Sequence, residues 1–441
     1  MTSHSITIGA RNAGLEDILR ILQDQRARRL DVVVRHQMIR AHGGRVIVRK
    51  GDSTQWVSEE GVTSAAGLYL PTAVGDEGLA ALLGISDGYL KKLRRLDPPR
   101  TDVWDFLVNA MLHGGSEVID GETRNYPPYD GGILLRLLKG DEENDGVLRA
   151  VLSPRYKIID NLDVLLAVMD GLRQAGVQAI PDVSDLTERR MHVRFSVPEI
   201  AAYAPQLLDG YRSPFDGPGG IQRAGQGDRP GMKLQAGHFG AGHEALQRAL
   251  AAAKREGQDF PPGQEPVVFA GLKVTNSDVG EGARTIAPEI VVQICGNRLT
   301  LTASADRAVH LGGQREEGVI EWSAATVERE LRLITSQAAD AVRTFLTPEW
   351  FLGKVEEIEA LAGKPVSRPE EVIRDVSRAA GFTQGEADDI LAHFLRGGAY
   401  TAGGVGNAVT SVSQTLESAD RAAELDARAL DVMQHAARLA G

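Results

Sequence analysis

The chain predicts an α+β fold, on three observations. Strand-like runs come in neighbouring pairs, an amphipathic helix stands between two such pairs, and the last part reads as helix. The expected core is an antiparallel sheet region backed by helices, in the order strand, strand, helix, strand, strand, with a helical C-terminal region behind it.

The first strands are expected within "DVVVRHQMIRAHGGRVIVRK" at 31–50, where β-branched residues flank the turn His42-Gly43-Gly44. In "EGLAALLGISDGYLKKLRRL" at 77–96, Leu79, Leu82, Leu83, Leu90 and Leu93 recur at helical spacing. Gly84 and Ser86 divide that block into two short helices, and Pro98-Pro99 ends it. A hairpin fits 131–157, with "GGILLRLLK" and "VLRAVLSPRYK" joined by the acidic turn "GDEENDG". Asp160 or Asn161 caps the following helix, whose apolar face is Leu162, Leu165, Leu166, Val168, Met169 and Leu172, and Gly176 ends it. Two strands follow, at 177–184 and 189–196.

Residues 209–237 are rich in Gly and Pro, which predicts a loop. A helix is expected at 241–256 and strands at 266–275, 284–294 and 298–303. From 325 the chain reads as helices separated by "TPEW", "GKPVSRP" and "GGAYTAGGVGN". Three regions result: 1–130 with the first strands and the helical pair, 131–314 with the sheet-based core, and 315–441 as an acidic helical region.

A hydrophobic fraction of 42% and a charged fraction of 25% describe a globular chain that folds over most of its length. Its one cysteine, Cys295, allows no intramolecular disulfide, and there is neither a signal-peptide core nor a run of about 18 apolar residues. The expectation is a cytoplasmic protein with no membrane partner. The net charge of −11 argues at first against nucleic acid. Yet from Arg315 onward 21 acidic residues face 13 basic ones, which leaves only −3 for the first 314 residues.

The helical pair at 77–96 has the offsets of a helix-turn-helix, with Lys91, Lys92, Arg94 and Arg95 on its second helix, but a packing hairpin with a Gly turn is the favoured reading. In "GHFGAGH", His238 and His243 are five residues apart and do not share a helix face, so no metal ligation is assigned. There is no nucleophile elbow and no phosphate-binding Gly-Lys-Ser/Thr loop, so neither a catalytic residue nor a cofactor is assigned. "GLKVTNSDVGEGA" at 271–283 reads as a turn built by Asn276, Ser277, Asp278, Gly280 and Gly282, with ligand contact as the alternative.

The basic strands carry the most chemistry. In "RRMHVRF" at 189–195, Met191, Val193 and Phe195 alternate with Arg190, His192 and Arg194, so one sheet face is apolar and the other cationic. Arg136 and Arg149 lie on the two hairpin strands, Arg45 and Arg49 share a face of the early strand, and Arg155, Tyr156 and Lys157 sit at a strand end. If these faces coincide, a basic groove results, with Tyr156 placed for base stacking. Scattered solvated arginines on an exposed sheet are the alternative.

The segments "LAALLGISDGYLKKL", "ILLRLLK" with "RAVLSPRYKIIDNLDVLLAV", "GLKVTNSDVGEGA" with "VVQICGN", and "GVGNAVTSV" resemble, in that order, phage- and plasmid-borne proteins of the family called domain of unknown function 932. The resemblance spans roughly 75–415 and implies a mobile-element context without assigning catalytic residues. The Gly-rich insert at 209–237 and "CGNRLTL" depart from the commoner pattern. Around Tyr156, Asp163, Val164, Leu165 and Gly176 the chain is also distantly similar, over about 50 residues, to single-strand annealing proteins of the Erf and Sak types.

The expectation is a non-catalytic DNA-binding protein of a phage or plasmid. It would hold single-stranded DNA through Arg136, Arg149, Arg155, Tyr156, Lys157, Arg190 and Arg194, with annealing or recombination as the role the Erf and Sak similarity implies, and with no cofactor and no metal. A self-assembling interaction protein is the alternative. A homo-oligomer is expected because the apolar stripes of the helices after 325 must be buried on the sheet region or on another subunit.

Overall fold

The computed structural model describes residues 6–440 except 59–60, 120–121, 142–143, 183, 209, 216–219, 225–250, 252–253, 255–266, 293–297, 301–305, 309–317 and 320–323. The chain begins with β1 (Ala10–Ala13), α1 (Leu15–Arg28) and β2 (Arg29–Val34). Four short strands and β7 follow: β3 (Ile39–His42), β4 (Arg45–Val48), β5 (Gln55–Ser58), β6 (Gly61–Ser64) and β7 (Gly67–Pro71). Three helices, α2 (Ala73–Leu83), α3 (Asp87–Arg95) and α4 (Thr101–His113), lead to the hairpin β8 (Gly115–Ile119) and β9 (Glu122–Tyr126). Then come β10 (Ile133–Leu138), β11 (Gly146–Leu152), α5 (Asn161–Gln174), β12 (Ile180–Pro181), β13 (Ser184–Leu186), β14 (Met191–Tyr203) and α6 (Pro205–Leu208). After β15 (Val267–Asn276), β16 (Arg284–Val292), β17 (Arg298–Thr300), β18 (Asp306–Ala308) and β19 (Gly318–Val319), the rest is helical. Those helices are α7 (Ala324–Phe345), α8 (Pro348–Ala362), α9 (Pro369–Ala380), α10 (Gln384–Gly397), α11 (Ala402–Ser413) and α12 (Ala419–Leu439).

The α+β class is as the sequence predicts, and the strands form two large sheets. The first has seven strands in the order β19-β2-β10-β11-β7-β4-β3, with β7 and β11 parallel. The second orders β1-β13-β14-β15-β16-β17, with β12 beside β14 and β18 beside β16. The strand pairs that flank α5 therefore stand in different sheets. Both edges of the β10–β11 pair are already taken, by β2 and β7, while β14 pairs with β15 from Met191–Asn276 to Tyr203–Val267. The position 130/131 lies inside the first sheet, and β19 returns to it beside β2.

Local chemistry explains the junctions. Gly43 and Gly44 adopt φ of 61° and 75°, the left-handed pair that a two-residue β3–β4 turn requires. Asn109 of α4 closes the outer edge of β3. Its Oδ1 accepts from the Ala41 amide and its Nδ2 donates to the Ala41 carbonyl, both at 2.8 Å. Helices α2, α3 and α4 bury Leu79, Leu83, Leu90, Leu93, Trp104, Val108 and Leu112 against the first sheet. Gly78 permits the close approach of α2 to β11, since a Cβ there would stand 2.5 Å from the Val151 carbonyl oxygen.

A larger core joins α5 and the apolar side of β14 (Met191, Val193, Phe195) to the C-terminal helices. Residues such as Val342, Ile373, Phe394, Val409, Leu425 and Met433 sit in it, so the apolar stripes after 325 are buried largely within the chain itself. Part of the stretch expected to separate helices, "GGAYTAGGVGN", is helical instead: α11 begins at Ala402, and every one of its residues is buried. Glycine makes this possible, because a Cβ at Gly403 or Gly406 would press on Ala362 or Met433.

Of the expected insert at 209–237, only 210–215 and 220–224 are described. The expected helix at 241–256 lies outside the described residues except for Ala251 and Lys254, and His238, His243 and Cys295 lie outside them altogether.

Candidate functional site

Two distant segments of the sequence meet where the sheets join. The turn between β15 and β16 places Gly280 at φ 88° and Gly282 at φ 148°, and Ser277 Oγ fixes it by donating to the Arg189 carbonyl (2.8 Å) and accepting from the Glu281 amide (2.9 Å). The turn reading of 276–282 thus describes the local structure. Its tip drives Asp278 into the interior, where the carboxylate accepts two hydrogen bonds from Arg149, at 2.7 and 3.0 Å. Arg136, only 2% exposed, donates to Asp31 (2.9 Å), to Asp160 (2.7 Å) and to the Asp278 carbonyl. Arg29 pairs with Asp160 and stands 3.6 Å from Asp31.

Neutral groups complete the junction. Tyr156 donates its hydroxyl to the Ser277 carbonyl (2.8 Å) and accepts from the Gly280 amide (3.2 Å). Asn276 Nδ2 donates to the Ile159 carbonyl and to Asn161 Oδ1, at 3.0 and 2.9 Å. A small cleft beside the junction is lined by Gln25, Arg26, Arg29, Leu137, Asn161 and Leu162, among others. Burial alone would raise the Asp278 pKa, but the Arg149 and Arg136 guanidiniums outweigh it and hold the carboxyl below its ordinary range. Tyr156 goes the other way, pushed up by burial and then by the Asp278 charge.

The polar side of β14 is interior too. Alternation does separate Met191, Val193 and Phe195 from His192 and Arg194, but α12 covers the second set. Arg194 Nη2 donates to Asp426 of α12 (2.5 Å), and Asp426 also accepts from Ser413 Oγ. His192 Nε2 lies 3.2 Å from Asp420. Lys273, paired with Arg194 across the strands, is buried, and burial followed by repulsion from Arg194 lowers its pKa.

These placements correct the expected basic groove. Arg136 and Arg149 are buried in ion pairs and Arg194 is partly buried in another, because turn 276–282 and helix α12 bring carboxylates onto faces that alternation alone leaves open. Tyr156 is held by the turn and packs beside Val33, Leu134 and Ile158, so its ring is not presented for base stacking. Arg190 precedes β14 and donates from Nε to the Glu281 carbonyl (2.6 Å), and Lys157 pairs with Glu330 at 2.5 Å. Of the seven expected contacts, only Arg155 is exposed. In the helical pair, Lys91 pairs with Glu77 and Asp87 and Arg94 pairs with Asp76, whereas Lys92 and Arg95 face solvent.

Several of the cations that reach solvent lie on or next to the β3–β4 hairpin. From Arg35 to Lys50 the sequence holds five Lys and Arg, two His and no Asp or Glu. Arg40, His42, Arg49 and Lys50 are exposed, and Arg45 pairs with Asp145 at the margin. Register places Arg40, Ile47 and Leu68 in one row and sets His42 opposite Arg45, so cations stand beside aliphatic side chains on β3, β4 and β7. Arg40 and Arg49 both help to depress the pKa of His113, after its burial and the nearby His36. The sequence signal that finds this surface is the acid-free run itself. Among the described residues no group of three or more His, Cys, Asp or Glu side chains is arranged to hold a metal ion, and no helix is long and apolar enough to cross a membrane. Compared with protein-family models, with curated proteins and with solved structures, the chain matches none.

Proposed function

We propose that this is a non-catalytic DNA-binding protein of a phage or plasmid that holds single-stranded DNA on the solvent-facing side of the first sheet's β3–β4 end. The observation that carries the reading is the exposed, acid-free cationic stretch Arg35–Lys50. Phosphates are met by Arg40, Arg49 and Lys50, and the neighbouring aliphatic side chains of Ile47, Leu68 and Leu70 offer an apolar surface to bases. The mobile-element context comes from the resemblance to the domain of unknown function 932. Annealing or recombination is the activity that the more distant Erf and Sak similarity favours. A cytoplasmic location suits a chain with one cysteine.

A gel-shift titration against salt, with single-stranded and duplex DNA, tests the proposal. Binding that weakens steeply with salt and prefers single strands supports it. No binding at low salt would remove it, and metal-dependent degradation of the DNA would replace it with a nuclease.

A second reading, self-assembly, is favoured by the apolar exposed side of α4, where Phe106 is 70% exposed.

A further inference from the structure

Two histidines adjoin the cationic hairpin and take no part in the contacts proposed for it. His36 opens the single helical turn His36–Met38 that leads into β3, and His113 ends α4. Their rings meet edge-on, with centroids 5.8 Å apart and planes at 63°. Both residues are partly buried, and His36 Nδ1 and His113 Nε2 are each shielded from solvent with no hydrogen-bond partner among the described residues.

The packing of α4 along β3 sets what surrounds the pair. Asn109 holds both polar groups of Ala41, and one helical turn further on His113 comes to the Ile39 carbonyl. The Arg49 amide donates to the Met38 carbonyl at 2.8 Å, which ties the end of β4 to the turn that carries His36. The pair is thus framed by two of the cations assigned to phosphate, Arg40 next to Ala41 and Arg49 after β4. After burial itself, His36, Arg49 and Arg40 are the groups that oppose a proton on His113, and the Ile39 carbonyl favours one. The segment after β9 adds Tyr129, whose amide donates to the Leu112 carbonyl, and Asp130, whose carbonyl accepts from Arg35. On α4 itself the Asp105 carboxylate accepts from the amides of Gly43 and Gly44.

A polyanion laid over Arg40 and Arg49 offsets the repulsion that keeps the ring neutral. By linkage, a site that gains a proton when a ligand binds must in turn strengthen the hold on that ligand as pH falls. Histidine is the side chain that can do this near neutral pH. We infer that the His36–His113 pair couples this surface to pH: a bound strand draws a proton onto the pair, and the chain grips single-stranded DNA more tightly in mild acid than at neutral pH. The inference rests on the nucleic-acid reading of the hairpin and adds its regulation.

Titration of the full chain with a single-stranded oligonucleotide at fixed ionic strength, from about pH 8 to about pH 5.5, tests it. The parent should bind about three- to tenfold more tightly at the acid end. His113→Gln should match the parent at the alkaline end, where the ring is neutral, and lose at least half of the gain in acid. Proton NMR of the His113 ring in the parent needs no change at that position, so it decides the matter even where Gln disturbs the fold. The ring should titrate at higher pH in the DNA complex than in the free chain, and Arg40→Gln/Arg49→Gln should raise its titration without DNA. Binding that is flat in pH, an acid gain untouched by His113→Gln, or a ring that titrates alike in free and bound chain would overturn the inference while leaving the nucleic-acid reading in place. Absence of binding at every pH would remove that reading, and the inference with it.

Discussion

Arg149 and Asp278, 129 residues apart in sequence, meet through two parallel hydrogen bonds, Nη1 to Oδ2 at 2.7 Å and Nη2 to Oδ1 at 3.0 Å. Both residues are buried, and Asp278 also stands 3.4 Å from Arg136. Replacing Asp278 by Asn should leave two guanidiniums short of countercharge and cost about 3–5 kcal/mol in urea unfolding. A loss below about 1 kcal/mol would mean that the junction relaxes or hydrates freely.

A contrast between two arginine sets locates the DNA surface. The double variant Arg40→Gln/Arg49→Gln should keep its stability within about 0.5 kcal/mol. Its single-strand binding should weaken, and the salt slope should flatten by about 1.4, given roughly −0.7 per phosphate contact. Arg194→Gln should do the reverse: it should destabilise by several kcal/mol, because Asp426 loses its partner in the interior, while the salt slope of the folded fraction stays unchanged. Exchange of these two outcomes would return the binding surface to β14.

His393 supplies a pH prediction. It is buried between α10 and α11, with Nδ1 2.8 Å from Ser411 Oγ, and burial followed by the nearby Arg396 charge lowers its pKa to about 4. Between about 6.5 and 4 the unfolded chain therefore binds a proton that the folded chain refuses. Stability should be complete above that window and fall through it on acidification, by on the order of 2–3 kcal/mol. His393→Gln should flatten this limb in denaturant midpoints taken at pH 7 and pH 5, whereas an unaltered limb would assign it to other groups.

Gly78→Ala tests the contact between α2 and β11. An alanine in an open helix is favoured by about 1 kcal/mol over glycine. Here the added methyl meets the Val151 backbone, at 2.5 Å from its oxygen and 3.0 Å from its nitrogen. The expected outcome is a net loss of about 1–3 kcal/mol in thermal or denaturant unfolding. A gain would show that α2 shifts away without penalty.

Periodicity and turn chemistry made individual elements legible. The Gly43-Gly44 turn, the helix after Asp160, the hairpin of β10 and β11, and the two-sided character of β14 all follow from local residues. Which carboxylate meets which arginine does not. Asp278, Asp426 and Asp31 reach their partners from distant parts of the chain, so an alternating basic strand looks the same whether water or α12 lies over it. The helix α11 was hidden for a related reason: glycine marks a loop by propensity but a close contact when the segment is buried. The exposed cations of 35–50 needed no tertiary knowledge, only attention to the missing acids.

The amide of Asn109 has one more implication. By occupying both polar groups of Ala41, it takes up backbone bonds that an incoming strand would need at this rim. Strand addition is thereby obstructed along β3, and visitors are selected by what Arg40 and His42 can grasp. Crowded solutions of the protein should accordingly resist edge-to-edge fibre growth here, and truncation of Asn109 would remove that guard without altering a single cation.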